Sequence, residues 1–456
     1  MTSSPPAGKA ARHSAPITTL VTSAAFFLTA MNLLLTNAAL PSIVADIGGG
    51  MTEQQWVADG YNLMFATLLL CAGNLSDRFG AKRMFVGGTT LYALAAAFCA
   101  LSQSMPMLIA GVCVMGVASA MIQPSSMALI KEANPDAKER AKAMSLWATG
   151  GSAASIVGPM LGGALAPISW SLVYAVNIPF CLVALALCVK VKPSPMRPTR
   201  FDWTGQALAL AGVACLLGGI IQGGEAGFSA PHIIVLIVVG AAALAAFVFS
   251  QSKVSSPMMP LSLFASKGMR FALVIAFFMI FNWYSLTFIV NLELQQGQGM
   301  SALQAGMVIV PSAFTNIVAN LASGRLANAR GVKFTLLCGM SSMILGFAGA
   351  LALGEPVNPL LLTVCVCLIS SGGALMTPAL SNLVLTSVDE SQAGIASALY
   401  NTFRQVGGAM GIAVMGTVTG ALPSLAAGLT TVLSAGGALI ILLLVAVALL
   451  WRGQGK

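Results

Sequence analysis

Apolar runs dominate the chain, and polar residues come in short clusters between them. Runs of about 20 residues or more, long enough to cross a bilayer, begin near Thr18, Gln54, Met84, Pro106, Ala143, Trp170 and Trp203. The same pattern resumes near His232, Phe271, Leu303, Phe334, Pro359, Ser391 and Ala426. This spacing predicts fourteen transmembrane helices in an all-α integral membrane fold. The polar stretches between spans are too short to hold a folded soluble domain. Residues 1–16, rich in Ser, Pro and Ala, read as a disordered cytoplasmic tail. A cleaved signal peptide is not expected, because the stretch after the tail is long enough to span and leads directly into further spans.

Composition and charge sharpen this picture. Hydrophobic residues make up 57%, charged residues 8%, and the mean hydropathy is +0.89, values that exclude an ordinary soluble domain. A net charge of +9 would suggest nucleic acid for a soluble chain. Its distribution excludes that partner. Lys9 and Arg12 lie in the tail; Arg78, Lys82 and Arg83 follow the second span; Lys131, Lys138, Arg140 and Lys142 follow the fourth. Later clusters at Lys190–Arg200, Lys253–Arg270 and Arg325–Lys333, with Arg452 and Lys456, fall on the same face. By the positive-inside rule, both termini are expected in the cytoplasm. The one basic residue off that face is Arg404, about thirteen residues into the thirteenth span. The nine cysteines all fall within apolar runs and read as packing residues, and Cys365 and Cys367 lack zinc-site spacing, so no metal and no cofactor is expected.

An ionisable group inside a membrane costs about 2.5–3.5 kcal/mol, which makes each one a functional candidate. Arg404 is expected near mid-membrane, either tied to carbonyls between helices or paired with Asp59 or another acid in the transport path. Asp59, about five residues into the second span, is either an acid suited to its helix dipole or a protonation site. Glu293 closes the ninth span at an end expected to be polar and exposed, beside Asn291, Gln295 and Gln296. Thr29, Asn32 and Thr36 are spaced to share one face of the first helix and are candidate cavity residues or interhelical hydrogen-bonding groups. Asn282, Trp283 and Tyr284 lie too deep for an interfacial aromatic belt and could stack on and hydrogen-bond a substrate.

The segment Gly73-Asn-Leu-Ser-Asp-Arg-Phe-Gly-Ala-Lys-Arg83 stands between two spans, with glycines that allow a tight turn. It resembles the loop between helices 2 and 3 of the major facilitator superfamily. Gly324-Arg-Leu-Ala-Asn-Ala-Arg-Gly-Val-Lys333 echoes it, but after the tenth span rather than the eighth. Two inserted helices explain the offset. The expected segments are a six-helix bundle over 17–200, inserted helices over 201–268 and a second six-helix bundle over 269–456. This arrangement resembles the fourteen-helix drug:proton antiporter branch. So do Asn37-Ala-Ala-Leu-Pro41, Gly158-Pro-Met-Leu-Gly-Gly163, Asn177-Ile-Pro179, Leu303-Gln-Ala-Gly306 and Arg404-Gln-Val-Gly-Gly-Ala-Met-Gly411.

The resemblance implies export of small apolar or amphipathic compounds by alternating access, driven by proton antiport across a bacterial inner membrane. The expected partners are a small-molecule substrate, protons and the lipid bilayer, with the chain acting as a monomer. It implies an inner-gate loop built on Gly73, Asp77, Arg78, Gly80 and Arg83. Asp77 opposes its own helix dipole and so needs a partner, which the resemblance places at the start of the thirteenth span near Ser391. It also implies a hinge or leak seal at Gly158, Pro159, Gly162 and Gly163. Two positions depart from the branch: Asn32 stands where the first helix usually has an acid, and Val112 where the fourth usually has an arginine. Coupling would therefore have to use Asp59, Glu293 or the substrate itself. The alternatives are a transporter of one metabolite without proton coupling and, more remotely, a membrane-embedded enzyme or receptor. Against the last stand the lack of an H-E-x-x-H or Walker motif and the placement of the two histidines, His13 and His232.

Overall fold

The computed structural model describes residues 7–196, 202–254, 257–354, 357–389 and 392–450. Helices α1 (Ala7–Ile47), α2 (Met51–Phe79), α3 (Ala81–Ala100), α4 (Met105–Ala133) and α5 (Ala137–Leu165) follow one another with short turns. Two collinear pieces, Ser171–Ala175 and Asn177–Cys188, form α6. Next come α7 (Trp203–Ala226), α8 (Pro231–Gln251) and α9 (Lys267–Leu292), the last running into a π-helical turn at Glu293–Gly297. The 50-residue helix Ala302–Leu351 is broken at Gly331, whose φ of 86° and ψ of 164° are not helical. Its arms are α10 (302–330) and α11 (332–351). α12 (Pro359–Thr386), α13 (Ala393–Gly420) and α14 (Leu425–Leu450) complete the fold. α1 starts at Ala7, inside the segment expected to be a disordered tail. Ala7, Lys9, Ala10, Ala11 and Arg12 are strong helix formers, so the helix extends backward from an apolar span that begins at Ala15.

Ten helices among the described residues are long and apolar enough to cross a membrane. Helix ends are closed locally. Asp202 accepts from the Gly205 amide at 2.7 Å to cap α7, and Ser301 with Gln304 forms a capping box at the start of α10. The outward faces carry large apolar side chains, among them Val238 and Phe249 on α8, Val318 and Leu321 on α10, and Leu442 and Leu449 on α14. In water such continuous exposure would drive aggregation; in lipid it is the matched solvent.

Packing sorts the helices into two groups. α1 packs on α5, α2 on α4 and α4 on α3; separately, α9 packs on α13, and the Ala302–Leu351 helix packs on α12 and α14. The groups meet along two seams, α2 against α13 and α5 against the Ala302–Leu351 helix. α7 and α8 pair with each other, and α7 lies along α2 and α13. Gln206 of α7 donates to the Thr67 carbonyl at 3.0 Å, and Thr417 of α13 donates to the Ile220 carbonyl of α7 at 3.1 Å.

Candidate substrate cavity

A cavity of about 380 Å³ lies between the two groups of helices. α1 lines it with Phe26, Thr29, Ala30 and Leu34, and α2 with Tyr61, Asn62, Phe65 and Leu69. From the other side come Met279, Trp283 and Tyr284 of α9, Ser312, Asn316 and Asn320 of α10, Ser370 and Thr377 of α12, and Asn401, Arg404 and Gln405 of α13. The walls are held by hydrogen bonds between helices. The Tyr61 hydroxyl lies 2.8 Å from both the Thr29 carbonyl and the Ser119 hydroxyl, joining α2 to α1 and α4. The Tyr284 hydroxyl donates to Gln405 Oε1 at 3.3 Å, joining α9 to α13.

Of the residues expected here, Thr29, Trp283, Tyr284 and Arg404 line the cavity; Asn32, Thr36 and Asn282 do not. The reason is helical rotation, roughly 100° per residue. The face of α1 that reaches the cavity centres on Phe26 and Ala30, which turns Asn32 and Thr36 into the packed interior, where each is almost fully buried. Asn282, next to Trp283, points instead at α14, where a Cβ on Gly436 would collide with its Oδ1. The expected pairing of Arg404 with Asp59 is absent from this conformation. The Arg404 guanidinium sits 5.7 Å from the centre of the Tyr400 ring, and its buried Nε has no hydrogen-bond partner.

Asp59 is 0% exposed, and neither carboxyl oxygen has a hydrogen-bond partner. Its helical neighbours place it on a seam. One turn before it, Gln55 donates to the Ala413 and Ile412 carbonyls of α13 at 3.2 and 3.4 Å. One turn after it, Leu63 is buried with Ala409 and Ala413 of α13 and Leu217 of α7. The i, i+4 spacing of α-helices therefore sets Asp59 where α2, α13 and α7 meet, behind the cavity wall. Glu293 departs from its expected exposure. It is 5% exposed, because the π-helical turn folds back on it: Gln298 Nε2 donates to its Oε1 at 3.4 Å, and a Cβ on Gly297 would strike its carboxylate.

One end of the cavity is sealed. Beside the start of α2, Gln296 donates to Gln54 Oε1 at 3.3 Å, Gln295 donates to the Ala38 carbonyl at 3.4 Å, and Gln55 holds α13. On the other seam, a Cβ on Gly163 would stand 2.5 Å from Leu303 Cα, and one on Gly306 would stand 3.0 Å from the Pro159 carbonyl. Gly158 and Gly162 seat α5 on α1 at Leu34 and Ala38. The four-residue motif thus serves two contacts, one within its own group and one across the seam.

The other end carries the α2–α3 turn. Here the expectation of several turn glycines is corrected. α2 runs unbroken through Gly73, which has open space around it, and only Gly80 (φ 88°) breaks the chain. Arg78 is exposed, 5.6 Å from the Phe79 ring centre. The Arg83 guanidinium contacts Met196, the Lys82 ammonium donates to the Val191 carbonyl, and its backbone amide donates to Ser194 Oγ at 3.0 Å. The turn is therefore fastened to the segment after α6. The Asp77 side chain and Ser391, proposed partners in a latch, lie outside the described residues.

This arrangement can be set beside known proteins. The family model described as Major Facilitator Superfamily matches residues 22–412. The chain belongs to the major facilitator superfamily. As a superfamily member it is a membrane transporter of small molecules, not an enzyme. It is 30% identical to Multidrug resistance protein Stp of Mycobacterium tuberculosis (strain CDC 1551 / Oshkosh) over 409 residues, covering 89% of this chain and 76% of that one. It is 28% identical to the Methylenomycin A resistance protein of Bacillus subtilis (strain 168), covering 88% and 86%. It is 32% identical to Cephamycin export protein CmcT of Amycolatopsis lactamdurans, covering 91% and 87%. A crystal structure of peptide transporter POT shares the fold, with a TM-score of 0.69 at 13% identity over 94% of each chain.

Several cavity residues were not singled out from the sequence. Ser312, Asn316 and Asn320 recur every four residues along a largely apolar stretch of α10. The spacing rule applied to the first helix would have found them. Gln54 and Gln55 have no such periodic signal; they become meaningful only once α13 is placed against them.

Proposed function

We propose that this transporter exports small, largely apolar or amphipathic organic compounds by alternating access, coupled to proton antiport, within the fourteen-helix drug:proton antiporter branch. The carrying observation is the cavity itself: a mixed aromatic and amide-lined space between two groups of helices, sealed at one end by contacts that join the groups. Relatives named for drug resistance and antibiotic export support the direction and the substrate class. The ten apolar helices include the bent Ala302–Leu351 helix, which supplies two crossings. Adding α2, α5 and α13 gives fourteen, with the basic end and both termini cytoplasmic. The organisation is then two six-helix bundles, 17–200 and 269–456, with 201–268 inserted. The sealed end faces outward, and this conformation opens to the cytoplasm.

Asp59 carries the coupling in this reading. An ionised carboxylate buried without partners is expensive, so the closed seam accommodates Asp59 only with a proton. When α2 parts from α13 to open the outer end, water reaches the carboxyl and the proton exchanges. Glu293, already held by Gln298, is the second candidate. Neither Asn32 nor Val112 can replace them.

Expression in an efflux-deficient bacterium tests the reading. Accumulation of a panel of anionic, neutral and cationic amphipathic dyes should fall for some members, and an uncoupler should restore it. Accumulation unaffected by expression across the whole panel would contradict export.

A further inference from the structure

Arg404 is the only charged side chain among the described residues that line the cavity. Its Nε is buried and unpartnered, and among the described residues no carboxylate forms an ion pair with it. Asp59, on α2 opposite, is buried behind the wall, and α1, α9, α10 and α12 contribute amides, hydroxyls and apolar groups but no acid to the lining. The same cavity is lined by Gln405, whose Oε1 is engaged by Tyr284 so that its amide nitrogen remains available, and by Asn62, whose amide nitrogen already donates to the Ala58 carbonyl at 3.3 Å. Trp283, Phe65 and Met279 supply apolar surface to the same cavity.

We propose that the cavity selects organic anions: amphipathic molecules whose carboxylate binds Arg404 and whose apolar body lies along Trp283 and Phe65. A guanidinium presents a planar fork of donors that matches a carboxylate with two parallel hydrogen bonds. Between packed helices and closed at one end, the cavity has a lower effective dielectric than a protein surface, which strengthens that attraction. A lipophilic cation would meet Arg404 as a like charge, with no lining acid to offset the repulsion. The Tyr400 ring that the guanidinium faces is a π contact, which takes up none of its N–H donors. This assignment rests on the cavity being the transport path and narrows the substrate class within it.

The test uses full-length protein in lipid nanodiscs and isothermal titration with three matched probes: 1-naphthylacetate, 1-naphthylacetamide and 1-naphthylmethylammonium. The acetate should bind at least about tenfold more tightly than the amide, the scale of one charge-assisted contact, and the ammonium most weakly. In Arg404→Gln the acetate-to-amide affinity ratio should fall to about one, and Arg404→Lys should keep part of it. Equal binding of acetate and amide to the unmodified protein, or a ratio preserved in Arg404→Gln, overturns the proposal without touching export. Absence of dye export from cells overturns both this proposal and the transport reading beneath it.

Discussion

Leu303 at the start of α10 sits so close to Gly163 of α5 that a Cβ on the glycine would stand 2.5 Å from the leucine Cα. The contact joins the two groups of helices at backbone distance, and only glycine permits it. Replacing Gly163 by valine should wedge the seam and disfavour the closed outer end. With spin labels on single cysteines at Ile168 and Ser424 in a background without native cysteines, the interlabel distance should lengthen in Gly163→Val. An unchanged distribution would mean that this seam does not hold the closure.

Gln55 does the same on the other seam with hydrogen bonds. Its amide reaches two carbonyls of α13, and a neutral hydrogen bond contributes about 0.5–1.5 kcal/mol net. Gln55→Leu should therefore shift the same distance distribution toward the open form by about a fewfold in population, less than the glycine replacement. A shift equal to or larger than that of Gly163→Val would reverse the assigned order of importance.

Asp59→Asn removes a carboxyl that has no partner in this conformation. The variant should melt at the same temperature as the parent or higher, since no hydrogen bond is lost. Its transport should no longer respond to an imposed pH gradient. A large drop in melting temperature would show that Asp59 has a structural partner, and retained gradient dependence would move the coupling to Glu293.

Gly73 and Gly80 of the Gly73–Arg83 segment separate a bystander from a turn role. Gly80 has a φ of 88° and ψ of 131°, a region costing a non-glycine residue about 1–3 kcal/mol, and a Cβ there would stand 3.2 Å from the Ser194 carbonyl. Gly73 is helical with open space around it, and alanine in a helix is favoured over glycine by up to about 1 kcal/mol. Thermal unfolding in detergent should therefore rank Gly73→Ala at or above the parent and Gly80→Ala clearly below it. Equal losses would mean that both act in the turn.

Helices were legible because a membrane-spanning run announces itself by length and apolarity alone, and Arg404 by being a charge where none is affordable. What faces the cavity was less so. Thr29 and Asn32 look equivalent on a helical wheel, yet the packing of α1 on α5 through Gly158 and Gly162 turns Asn32 inward. Trp283 and Asn282 differ by one residue and face opposite surroundings. The rotation of a helix is set by its neighbours, and a single apolar sequence carries little record of which face meets which. Asp59 shows the same limit. Its position in the second span was readable, but its place on the α2–α13–α7 seam depended on how an inserted helix lies across two others.

Proton-coupled export through this cavity is tested most directly in proteoliposomes carrying the purified protein under an imposed pH gradient. Accumulation of an exported dye against its own gradient is predicted, collapsing when the pH gradient is dissipated and absent in Asp59→Asn. Equal rates of dye movement with and without the pH gradient would contradict the account.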